Sequence, residues 1–119
     1  MHHIELQKHI IEIDDIELYT LKQTLDSAES KKLMPIGDND IAWFNKIYDK
    51  LPLSQENPPH IIELFQVELI GIIELFEQWI SNFQQKQANE KNPTTLIFMT
   101  NNVNKRIQLL IKLKLSLSN

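Results

Sequence analysis

Hydrophobic positions change their period several times along the chain, and each change predicts an element. Over residues 14–33, Leu18, Leu21, Leu25 and Ala28 recur at 3-4-3 spacing, the mark of one apolar helix stripe. Asp14 or Asp15 can cap this helix, and Glu17 lies in its first turn, where the helix dipole favours an acid. Lys31 and Lys32 lie at the opposite end, where it favours cations, and Pro35 and Gly37 stop the pattern. A shorter helix is predicted over 39–51. Ile41, Phe44, Tyr48 and Leu51 share one face there, with Trp43 and Ile47 beside them, and Pro52 ends it.

The polar, stiff stretch Ser54 to Pro59 introduces the strongest periodicity. Ile62, Phe65, Leu69, Ile72, Phe76, Trp79 and Phe83 run at helical spacing, which predicts a helix from about Pro59 to Gln87. Ile61, Leu64, Ile70, Ile73, Leu75 and Ile80 widen its apolar surface beyond one stripe, so it should be a central element packed on several sides.

The C-terminal third changes to a period of two. Ile107, Leu109, Ile111, Leu113, Leu115 and Leu117 alternate with Arg106, Gln108, Leu110, Lys112, Lys114, Ser116 and Ser118, polar except for Leu110. That alternation predicts a half-buried strand. With Thr94 to Thr100 upstream and Asn101-Asn102-Val103-Asn104 between, the segment reads as a β-hairpin. The rival, one helix from Thr95 to Leu117, needs three Asn within four interior residues, against helix propensity. At the N-terminus, Ile4 and Leu6 alternate with polar residues, Lys8 breaks the phase, and Ile11 and Ile13 resume it. A bulged strand is preferred over a helix, because a two-stranded hairpin alone is marginal and a third strand would support it.

These elements make one domain over residues 1–119 with an α+β fold. Three helices, including a long buried central one, would pack on a small antiparallel sheet that includes the C-terminal β-hairpin; an all-α helical bundle is the alternative. No internal repeat stands out. The longer strand of the hairpin has a surplus edge, which suits the N-terminal segment or a homodimer through that edge strand.

Composition narrows the chemistry. The chain has no Cys, so disulfides, thiolate metal sites and Cys nucleophiles are excluded. Its two glycines, Gly37 and Gly71, form no phosphate-binding loop. Ile, Asn and Lys are heavily used, which points to an A/T-rich genome of bacterial or phage type. The most apolar stretch, Ile61 to Ile80, carries Glu63, Glu68, Glu74 and Glu77, too many carboxylates for a bilayer span. No targeting signal is evident, so the expected location is the cytoplasm, without membrane association.

Two His-x-x-Glu pairs occur, His9 with Glu12 and His60 with Glu63. On a helix this spacing puts both side chains on one face, as in carboxylate-bridged metal bundles, but the order is reversed and the pairs read as solvated polar residues. Asp38-Asn39-Asp40 resembles the opening of a calcium loop, yet Trp43 and Asp49 stand where its glycine and closing glutamate belong. No Gly-x-Ser-x-Gly elbow frames a serine, and Glu74 with Glu77 reads as the solvated edge of the central helix. No enzyme activity, metal or cofactor is expected.

Charge is the most distinctive feature. Residues 1–90 hold 16 acids and 7 bases, a net of −9, whereas residues 91–119 hold no acid and five bases. The acidic part would attract a basic partner and repel nucleic acid. The reading is therefore a non-catalytic acidic protein-binding module, most concretely a bacterial toxin-immunity or antitoxin-type inhibitor that masks a basic protein. Asp14, Asp15, Glu17, Asp38 and Asp40, near helix starts, are the expected partner-binding residues. The alternatives are a nucleic-acid-associated regulatory protein using the basic hairpin, or a secretion chaperone or assembly adaptor. Nucleic acid is the weaker partner, because five charges with one Arg and no aromatic array make a poor footprint.

Overall fold

The computed structural model describes residues 7–27, 45–52 and 57–118. In chain order these form strand β1 (Lys8–Ile13), helix α1 (Asp15–Asp26), a helical turn over 45–49, strand β2 (His60–Phe65), helix α2 (Gln66–Asn89) and helix α3 (Pro93–Ser118). Of the described residues 74% are helical. The core is a single cluster drawn from all of these elements, with Leu21, Leu64, Leu69, Ile72, Leu75, Phe76, Leu109 and Leu113 at 0% exposure.

The expected C-terminal β-hairpin is absent: Pro93–Ser118 is one continuous helix. Its start is set by Asn92, whose Oδ1 accepts the backbone N–H groups of Thr94 and Thr95 at 2.9 and 3.2 Å. Pro93 sits at the first helical position, where its missing N–H costs nothing. The buried residues Met99, Val103, Arg106, Leu109, Leu110 and Leu113 follow helical spacing, whereas Ile111 and Leu115 are exposed. The alternation of Ile107 to Leu117 is thus half core and half surface. Asn101, Asn102 and Asn104 lie outside that buried stripe, so their cost is at most about 0.7 kcal/mol each. The three-residue connection 90–92 joins α2 and α3 into a helical hairpin whose arms pack along each other.

Residues 60–65, which the apolar period places in the central helix, are a strand instead. They form β2, with His60, Ile62 and Leu64 inward and Ile61 and Glu63 outward. β2 pairs antiparallel with β1, whose inward residues are His9, Ile11 and Ile13. The N-terminal strand is therefore present over Lys8–Ile13, with Ile4 and Leu6 outside the described residues, but its partner is β2, and the edge expected to offer a homodimer contact lies inside a helix. A short apolar run fits a period of 2 or 3.6 about equally well, which explains the misreading. The all-α alternative fails on the same ribbon. From Leu69 onward the central helix is as expected: Leu69, Ile72, Phe76 and Trp79 are buried, Phe83 is partly so, and Glu74 and Glu77 are exposed.

The ribbon exposes a duplication. His9-Ile10-Ile11-Glu12-Ile13 and His60-Ile61-Ile62-Glu63-Leu64 are the two strands, and each runs directly into a helix whose third and fourth residues are Glu-Leu: Glu17-Leu18 and Glu68-Leu69. The register relates the two by a pseudo-two-fold axis. Ile11 pairs with Ile62 at the centre, and His9↔Leu64 mirrors Ile13↔His60. The chain therefore holds two copies of one strand–helix unit, paired through their strands, with α3 covering them.

Candidate functional site

The duplicated units build equivalent corners where strand meets helix. At the first, Asp14 caps α1: its Oδ1 accepts the Glu17 N–H at 2.7 Å, and Glu17 Oε1 accepts the Asp14 N–H at 2.9 Å, a full capping box. At the second, Phe65 stands in the cap position and has no acceptor. Only the return bond survives there, Phe65 N–H to Glu68 Oε1 at 2.9 Å. Each glutamate also takes a lysine from a distant element. Lys112 of α3 reaches Glu17 at 2.7 Å, and Lys50 reaches Glu68 at 2.6 Å.

The histidines cross between the units. His60 Nε2 donates to Asp15 Oδ1 at 2.6 Å, and His9 Nε2 lies 3.3 Å from Gln66 Oε1. Asp15 and Gln66 are the first helical residues of α1 and α2, so each histidine reaches the start of the other unit's helix. His9 Nδ1 donates to the carbonyl of Ser116 at 3.1 Å, which satisfies an open carbonyl in the last turn of α3. His60 Nδ1 and Glu68 Oε2 are buried without a hydrogen-bond partner among the described residues. Since both His-x-x-Glu pairs lie on strands, His9 and His60 point inward and Glu12 and Glu63 outward, and neither pair shares a face. Among the described residues no group of three or more His, Asp or Glu is placed to hold a metal ion.

Three of the five acids singled out from the sequence meet at the first corner. Asp14 and Asp15 are exposed, while the Glu17 side chain is only 16% exposed and held by Lys112. Glu12, Asp14 and Glu17 line an open cleft with Pro58, Pro59 and Lys112. Asp38 and Asp40 lie outside the described residues, as does the calcium-like opening they belong to. Sequence reasoning read both His-x-x-Glu pairs as solvated, whereas His9 and His60 are buried, and it did not join Glu12 to the corner or foresee His60 and Lys112, which the strand pairing and the helical C-terminus bring there. The shared His-Ile-Ile-Glu string was the signal that would have found it.

Two of the five basic residues of the C-terminal segment are held in ion pairs and a third is buried. Lys112 pairs with Glu17 and Lys114 with Glu77 at 3.0 Å, while Arg106 is buried. Lys8 of β1 likewise pairs with Glu63 at 3.0 Å. Among the described residues no helix is long and apolar enough to cross a membrane. Comparisons with protein-family models, curated proteins and solved structures return no match.

Proposed function

We propose that this chain is a non-catalytic binding protein of the cytoplasm, of the toxin-immunity or antitoxin-inhibitor kind, that captures a basic protein partner at the start of α1. The observation that supports this reading best is the arrangement of charge there. Glu12, Asp14 and Asp15 expose carboxylates within four residues of chain, and the lysine at the cleft, Lys112, is already held by Glu17. A basic partner approaching this corner meets a net negative potential on a frame anchored by β2 and α3.

The test removes charge without removing the internal bonds. Asparagine caps a helix as well as aspartate does, and the amide oxygen that Asp15→Asn introduces would still accept the His60 proton. Glu12→Gln, Asp14→Asn and Asp15→Asn together therefore preserve the corner. Affinity capture at low salt should recover a basic protein with the wild type and lose it with the triple variant. Equal recovery by both proteins, or recovery of polynucleotide or of unfolded clients by both, would reject this reading.

A further inference from the structure

Arg106 is the chain's single arginine and is 3% exposed. Its Nε donates to Thr24 Oγ1 at 2.9 Å and its Nη1 to the Asn102 carbonyl at 3.2 Å. Its Cζ lies 3.8 Å from the centroid of Trp79, and Trp79 in turn stacks on Phe83 at 4.5 Å with 10° between the rings. Among the described residues no carboxylate pairs with this guanidinium, and its Nη2 makes no hydrogen bond. Buried charges are ordinarily paired, because desolvation of a lone ion is costly. Here burial pushes the pKa of Arg106 down to about 10, so the group is still a cation at neutral pH.

The guanidinium borders a cleft of about 250 Å³. Trp79, Phe83 and Phe98 give it apolar walls, Gln23 and Asn102 add side-chain amides, and Arg106 is the most buried of these residues. Phe98, 69% exposed, stands at the rim of this cleft. We propose that this cleft binds a monocarboxylate carried on an aromatic or bulky apolar body, with the carboxylate on Arg106 and the body between Phe83 and Phe98. A single cation with two of its nitrogens already engaged matches one negative charge better than a phosphate, which recruits several cations. The same chemistry is available from a free aromatic acid or from an acidic side chain next to an aromatic one in a peptide. This site is separate from the acidic corner, and its test is independent of the partner proposed there.

The probe is 3-phenylpropionate, with the uncharged 3-phenylpropionamide as its control, titrated against the whole chain by heteronuclear NMR. The Arg106 Nε–H and Trp79 indole N–H resonances are the reporters. The acid should shift both and bind at least tenfold more tightly than the amide. Phe98→Ser, a change at an exposed side chain, should weaken the acid severalfold, and Arg106→Met should abolish the difference between acid and amide. A capped Glu-Phe dipeptide separates the two sources: tighter binding than the free acid assigns the cleft to a peptide, and weaker binding to a small molecule. Absence of shifts with both the acid and the dipeptide, equal affinity for acid and amide, or an unchanged preference in Arg106→Met would overturn the proposal.

Discussion

Glu17 and Glu68 hold the same place in two copies of one strand–helix unit. Each accepts the N–H of the residue before its helix at 2.9 Å, and each is clamped by a lysine from elsewhere in the chain. The equivalence is geometric, and the environments differ. The Glu68 side chain is 5% exposed and that of Glu17 is 16% exposed.

That difference predicts unequal costs. Glu68→Ala strands the Phe65 N–H beside a nearly buried carboxylate position, while the Lys50 side chain, 29% exposed, turns to water; the change should cost about 1–3 kcal/mol. Glu17→Ala leaves the Asp14 cap in place and should cost about 1 kcal/mol. Urea unfolding of the two variants checks the order; a larger loss at Glu17 would contradict the assigned burial.

The helical C-terminus predicts which apolar residues matter. Leu110 is 9% exposed and Ile111 is 55% exposed. Leu110→Ala should cost about 2–4 kcal/mol and Ile111→Ala less than about 0.5. A strand with odd positions inward requires the reverse. Thermal unfolding of the pair therefore separates the two structures of this segment.

How legible the fold was depends on whether local pattern and tertiary packing agreed. In α1 they agreed over the packed turns: Leu18, Leu21 and Leu25 are buried and Asp14, one of the two candidate caps, is the cap, although the helix ends at Asp26, short of the expected 33, and Ala28 lies outside the described residues. The core half of α2 was equally plain from Leu69, Ile72, Phe76 and Trp79. In α3 they diverged. Leu115 lies outward in spite of its hydrophobicity and Arg106 inward in spite of its charge, so a pattern of apolar and polar letters showed a false alternation. Leu110, the exception to that alternation, and Asn92-Pro93, a helix start signal, were the legible warnings. For β2 the deciding force is pairing with β1, which no local window contains. At the acidic corner, Asp14, Asp15 and Glu17 were legible from their place at a helix start, and His60 and Lys112 were not, since strand register and the α3 packing bring them there.

Arg106 predicts an inversion of the usual mutational cost. Its pKa is lowered to about 10 by burial, so its charge opposes folding wherever it is ionised. Arg106→Met should be neutral or stabilising, by up to about 1–4 kcal/mol near pH 7. The sign with pH follows from linkage. As pH rises through about 10 the folded protein releases the proton before the unfolded chain does, so wild-type stability should rise relative to the variant. Denaturant titrations at pH 7 and above pH 10 check both statements. A large loss of stability on Arg106→Met would make the guanidinium a structural element.

The claim that this chain acts by capturing a basic partner is tested most directly by association kinetics across ionic strength. With the partner that affinity capture recovers, the wild-type association rate should fall steeply as salt rises, because charge acts mainly on encounter. The variant combining Glu12→Gln, Asp14→Asn and Asp15→Asn should associate more slowly at low salt, with a flattened salt dependence and unchanged stability. An association rate indifferent both to salt and to the three substitutions would contradict the account.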